Sequence, residues 1–300
     1  MKLAVGPLLY FWERTAVLEF YERISDSPID IVYLGETVCS KRRALRRRDW
    51  FNLAERLSQA GKEVVLSTLT LIEAESDLSY MGRTARESNW LLEANDLAVI
   101  AQLGGRPFVA GPHINVYNDA TLALFARLGA RRWVAPLELD LATLGKLQAA
   151  RPVGVETEVY AYGRMPLAFS ARCFAARAHN RPKDDCGFVC QQYPDGLTVY
   201  SQDNEPFLTI NGIQTQSARV HNALAQVAAL GRIGVDVLRL SPHSAQAVDF
   251  HQVIDAFRRV VDGEEASDVS VSSGPPTALP GGYCDGFLQG APGMRSPSGG

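Results

Sequence analysis

The sequence predicts an α/β chain folded as a TIM-barrel-like (β/α) barrel, irregular in places, with a cysteine-bearing insertion after the seventh strand. Three observations carry this. Short apolar, β-rich runs recur along the chain, helical-period segments separate them, and 300 residues with 46% hydrophobic content can bury one large core. About eight such runs favour closure into a barrel over an open doubly wound sheet.

Taken in order, KLAVGP (2–7) is the first strand, followed by a helix over Arg14 to Ile24, then IDIVYLG (29–35), a helix over Trp50 to Ala60, and EVVLST (63–68). A helix near Leu71 to Glu87 and a strand at Leu97 to Ile100 come next. PFVAGPHIN (107–115), a helix at Ala120 to Leu128, RRWVAPLE (131–138) and the LATLGKLQAA helix (141–150) continue the alternation. VGVETEVYAY (153–162) reads as a strand with Val153, Val155 and Val159 on a buried face and Glu156 and Glu158 on a polar one. A long helix from Ser217 to Leu230 then leads to DVLRLSP (236–242), the last strand.

Cys173 to Gln216 breaks the rhythm. It is rich in turn formers, and its LTVYS and PFLTI pieces, joined by Gln202 to Glu205, form a hairpin within an insertion. The barrel domain therefore spans residues 1–262, and residues 263–300 are a flexible Ser/Pro/Gly-rich tail in which Tyr283 and Phe287 could dock on a surface groove.

A net charge of −3 gives no reason to expect nucleic acid or an anionic membrane as the main partner. The opening apolar run meets Trp12, Glu13 and Arg14 too early to span a bilayer, so a cytoplasmic location with no transmembrane segment is expected. Five cysteines in a reducing compartment argue for metal or redox roles over disulfides.

Four of those cysteines form the strongest signal. Cys173, Cys186 and Cys190 have the spacing C-x12-C-x3-C, and Cys39 follows the second strand, where barrel residues face a common mouth. Arg172, Arg177, Arg181 and Lys183 are interleaved, and nearby positive charge favours the thiolate a metal requires. A four-thiolate iron-sulfur cluster suits three local ligands and one remote. Zinc remains open, although its sites more often pair short Cys-x2-Cys knuckles. A radical-enzyme motif is disfavoured because Tyr193 stands where the third cysteine of C-x3-C-x2-C belongs. Cys284 is left over as a free thiol.

Other candidates are less specific. Lys41, Arg42, Arg43, Arg46, Arg47 and Arg48 form a basic run that is either a solvated face or a dock for an acidic substrate or partner. Glu36, Glu138, Glu156 and Glu158 sit on or near strand ends and could line the mouth as acids, bases or ligands. His113, with Asn115 and Asn118, follows a strand; it is a ligand contact or a hydrogen-bonded structural group. His221, His243 and His251 stand singly. P-loop, G-x-G-x-x-G, G-x-S-x-G and HExxH motifs are absent from the sequence.

GETVCSKRR around Cys39, RCFAARAHNRPKDDCGFVCQQYPDG across the trio and FLTINGIQTQS after it resemble the collagenase-like peptidase family, from the first strand to about Val261. The resemblance implies a TIM-barrel-like fold and a 4Fe-4S cluster on Cys39, Cys173, Cys186 and Cys190. It implies a heterodimer with a related chain, and a part in oxygen-independent hydroxylation of the aromatic ring during ubiquinone biosynthesis, with prephenate as the oxygen donor. A noncatalytic iron-sulfur scaffold and a peptidase are the alternatives, though no protease nucleophile or zinc motif supports the second. No catalytic residue is singled out.

Overall fold

The computed structural model describes residues 1–244, 250–269 and 281–296. The apolar runs become parallel strands β1 (Lys2–Val5), β2 (Ile31–Leu34), β3 (Glu63–Ser67), β4 (Leu91–Ala94), β5 (Phe108–Ala110), β6 (Ala130–Val134) and β7 (Glu156–Phe169), each beside the next. The insertion supplies β8 (Leu197–Tyr200), β9 (Pro206–Asn211) and β10 (Gln214–Asn222). Strand β11 (Val237–Leu240) then pairs in parallel with both β7 and β1. That double pairing closes an eight-stranded TIM barrel from β1–β7 and β11, as the alternation predicts.

Helices α1 (Arg14–Ser25), α2 (Arg47–Gln59), α3 (Glu75–Glu87), α4 (Leu97–Gln102), α5 (Asp119–Arg127) and α6 (Leu141–Ala149) lie between the first seven strands. The short α7 (Phe174–Ala178) belongs to the insertion, α8 (Val227–Arg232) precedes β11, and α9 (Phe250–Val261) follows it. In α9 the buried set Phe250, Val253, Ile254, Phe257 and Val260 repeats at three and four residues, so one stripe faces the barrel. Burying a side chain the size of Phe257 contributes roughly 1.5–3 kcal/mol.

Two cores result. The larger joins helices to the outward faces of the strands, while a smaller one inside the barrel holds Ala4, Ile31, Tyr33, Val65, Val109, Val134 and Val237. Charged side chains share that interior. Glu158 accepts from Tyr33 Oη at 2.5 Å and from Arg239 Nε at 2.5 Å. Arg132 bonds Glu156 at 2.5 Å and Glu63 at 2.8 Å. Val155 and Val159 are buried as expected, while Val153 is fully exposed. Glu158 is enclosed in the barrel and Glu156 is half-buried at its N-terminal rim, so the expected polar glutamate face is corrected, because a barrel strand has two buried sides.

Two further placements differ from expectation. Leu97 to Ile100 is helical, and the strand is LLEA just before it, because Asp96 caps α4 by accepting from Ala98 N at 2.7 Å. Ser217 to Leu230 is no long helix. It begins inside β10, which runs antiparallel to both β9 and the outer half of β7. Gly212-Ile213 is the two-residue turn that sends the chain back, with Gly212 at φ 67°. The β8–β9 hairpin forms as predicted.

Of the segment after Gly263, residues 270–280, the centre of the expected flexible linker, lie outside the described residues, as do 297–300. Residues 281–296 pack against the insertion. Strand β12 (Tyr283–Cys284) pairs in parallel with β10, Gln226 Nε2 donates to Asp285 Oδ2 at 2.8 Å, and Cys284 and Leu288 are buried. Among the described residues no helix is long and apolar enough to cross a membrane.

Candidate functional site

The chain leaves β2 through Gly35 and Glu36, and Glu36 Oε1 accepts from the backbone N–H groups of Val38 (2.8 Å) and Cys39 (3.1 Å). This bracket fixes Cys39 at the C-terminal mouth of the barrel, where inserted segments can reach it. Burial pushes the Cys39 thiol up. A bond from the Lys41 backbone and the charges of Arg42 and Lys183 work in the opposite direction.

The insertion lies over this point. Lys41 Nζ donates to Lys183 O at 2.8 Å and meets Asp184 at 3.5 Å, while Lys183 pairs with Glu73 and donates to Ala171 O at 3.0 Å. Cys173 precedes α7 and its Sγ accepts from Ala176 N at 3.4 Å. Cys186 and Cys190 bracket a tight turn in which Gly187 and Phe188 are both left-handed, at φ 56° and 53°. A side chain at Gly187 would be strained by that φ and would displace the Arg181 guanidinium, so glycine is favoured there.

Arg42 is the shared neighbour. It is buried, donates to Leu9 O at 2.8 Å and to Asn211 Oδ1 at 2.7 Å, and its Nε has no hydrogen-bond partner. Burial pushes the Cys190 thiol up, Arg42 opposes this by charge and hydrogen bond, and Cys173 and Cys186 push it further up. Cys190 therefore feels the charge of Cys173 and Cys186, and Cys39 and Cys190 feel the same arginine. Even so, among the described residues no three His, Cys, Asp or Glu side chains form a group that could hold a metal ion as they stand. The donor set itself suits a thiolate-held group. It offers soft sulfur only, a buried guanidinium with a spare donor nitrogen, and backbone N–H bonds to sulfur, which favour the charged form.

The other predicted residues are dispersed. Glu138 is exposed and accepts from Tyr117 Oη at 2.9 Å. Glu156 pairs with Lys2 at the opposite, N-terminal end of the barrel, and Glu158 is enclosed within it, so neither lines the mouth. His113 stands edge-on to Phe169 at 4.7 Å, and burial, with Arg239 nearby, pushes its imidazole down to about 3. Asn118 caps α5 through Thr121 N, and Asn115 adopts a left-handed turn at φ 62°. Tyr193 Oη lies 2.9 Å from His179 Nε2. Burial pushes the Cys284 thiol up to about 11, which makes it inert.

Sequence reasoning missed a second feature beside this one. A cleft of about 580 Å³ opens between the C-terminal ends of β2 and β3 and helices α2 and α3. It is lined by Arg42, Arg43, Arg46, Arg47 and Arg83 and walled by Trp50, Phe51 and Tyr80. The basic run signalled half of it. Tyr80 and Arg83 sit on another helix and carry no pattern of their own.

Among solved structures, orotidine 5'-phosphate decarboxylase from Pyrococcus horikoshii OT3 is similar at 9% identity and a TM-score of 0.45, covering 87% of this chain and all of its own. The DAHP synthase of Thermotoga maritima is similar at 9% identity and a TM-score of 0.38, covering 87% of this chain and 69% of its own. The sequence profile of peptidase family U32 matches residues 18–296. With that match over nearly its whole length, the chain belongs to peptidase family U32.

Proposed function

We propose that the chain is a UbiV-like iron-sulfur subunit that pairs with UbiU in the cytoplasm and takes part in oxygen-independent hydroxylation of the aromatic ring of a ubiquinone precursor, with prephenate as oxygen donor. The observation that carries the reading is the common neighbourhood of Cys39 and Cys190 around Arg42, with Cys173 and Cys186 beside it. Cys39, Cys173, Cys186 and Cys190 would hold a 4Fe-4S cluster, which supplies one-electron chemistry when bound. Arg42 would stabilise the thiolates, and Lys41 and Lys183 would hold the insertion closed over the second strand's loop.

The test is replacement of each of the four cysteines by Ala, with anaerobic assay of bound iron and sulfide and of quinone formation. Each variant should lose both, and Cys284→Ala should keep both. A colourless protein holding stoichiometric zinc would overturn the reading. Loss of iron with quinone formation intact would instead leave a structural cluster in a noncatalytic scaffold.

Family membership favours a second reading, a peptidase. It requires the isolated chain to cleave collagen-like peptides, and intact peptides after prolonged incubation would exclude it.

A further inference from the structure

The cleft between α2 and α3 has a chemistry distinct from the sulfur site. Five arginines line it against two carboxylates, Glu36 and Asp77, in a chain whose net charge is −3. Positive charge is therefore concentrated here against the sign of the whole molecule.

Not all of it is available. Arg47 pairs with Glu87 at 2.9 Å, and Arg42 is committed to Leu9 and Asn211. Arg43 and Arg83 are exposed and have no hydrogen-bond or ion-pair partner among the described residues. Both act on the Tyr80 hydroxyl: burial pushes that phenol up, while Arg47, Arg43 and Arg83 draw it down. Two guanidinium groups without a partner among the described residues thus line the cleft that Tyr80 walls.

The inner end of the cleft holds an unsatisfied donor. Ser67 is buried and lines the cleft, and its Oγ has no hydrogen-bond partner among the described residues. A buried polar group without a partner is destabilising, and a bound acceptor would relieve that. Trp50 and Tyr80 supply flat apolar surface, and about 580 Å³ is the volume of a small-molecule site. An outer basin of about 440 Å³, bounded by Arg46, Arg48 and Arg83, continues it towards solvent.

We propose that this cleft binds a small ring compound carrying two anionic groups, carboxylate or phosphate. One group meets Arg43 and Arg83, the second accepts from Ser67, and the ring lies against Trp50 and Tyr80. The site stands on the cleft's own residues. It deepens the proposed function only in offering a place for that reaction's anionic donor, and in that respect alone rests on it.

The experiment is titration calorimetry of the full chain with isophthalate, phenyl phosphate, benzoate and inorganic phosphate. Isophthalate or phenyl phosphate should bind at least about tenfold more tightly than benzoate and inorganic phosphate, and the stronger of the two identifies the anionic group. Arg43→Ala and Arg83→Ala should each weaken that binding about tenfold with an unchanged circular dichroism melt; should either fail to fold, Arg43→Gln or Arg83→Gln replaces it at the same position. No heat from either ring dianion, equal affinity for inorganic phosphate, or unaltered binding in the arginine variants overturns the proposal. Iron content, read separately in the cysteine variants, tests the hydroxylase reading, so the two can fail independently.

Discussion

The barrel interior and the α2–α3 cleft both gather arginines, and they treat them in opposite ways. Inside the barrel Arg239 is 4% exposed and stands between Glu158, at 2.5 Å, and Glu93, at 2.7 Å, with its guanidinium 4.1 Å from the Tyr33 ring centre. The Glu93 contact is an ion pair whose angle misses a hydrogen bond, so its energy is chiefly Coulombic. Burial works against the charge of Arg239, and Glu158 and Glu93 more than restore it. In the cleft, Arg43 and Arg83 are exposed to water and have no partner among the described residues. An unpaired charge cannot persist in a closed interior, so paired interior arginines describe how the barrel is filled. Unpaired ones in a concavity describe what the protein can hold.

The sharpest way to break this comparison is Arg239→Met. It leaves Glu93 buried without a counter-charge and Glu158 with only Arg132, 3.7 Å away, and should cost about 3–5 kcal/mol in denaturant unfolding; a loss under about 1 kcal/mol would show that the interior tolerates unpaired charge. Adding Glu158→Gln and Glu93→Gln should recover much of the loss.

Next in size is an effect of acid on the buried histidines. His221 and His243 have no charge partner among the described residues, and burial, reinforced at His243 by Arg164, pushes both imidazoles down to about 4. The unfolded imidazole takes its proton near the ordinary value of about 6.5, so the unfolded state binds more protons below that point. Their contribution is whole above about pH 6.5 and is lost as pH falls towards 4, on the order of 3 kcal/mol for each residue. Urea midpoints at pH 7, 5.5 and 4 would reveal it, and His221→Asn should flatten the slope.

The smallest effect sharpens the other side. Arg43→Ala should alter stability by less than about 0.5 kcal/mol, since it removes no partner. A larger loss in the same unfolding assay would mean that the cleft's cations are structural after all.

Much of the barrel was legible because period and punctuation agree: β1, β2, β3, β5, β6 and β11, with α1, α2, α5 and α6, lie where apolar runs and helical spacing place them. The misplaced β4 came from reading the second of two adjoining apolar runs and passing over the Asp96 cap between them. In β10, the buried Gln214 and Gln216 hid a strand, since polar residues packed beneath an added sheet do not look like core.

By itself the sequence determined the repeating α/β order, the insertion and the local cysteine trio, because each depends on neighbours along the chain. Only the tertiary structure decided which way Glu156 and Glu158 face, that Arg42 is shared by Cys39 and Cys190, and that Arg43 and the helical Arg83 line one cleft. Those relations join residues far apart in sequence, and electrostatic energy depends on distance through space and on solvent exclusion, neither of which is written in residue order.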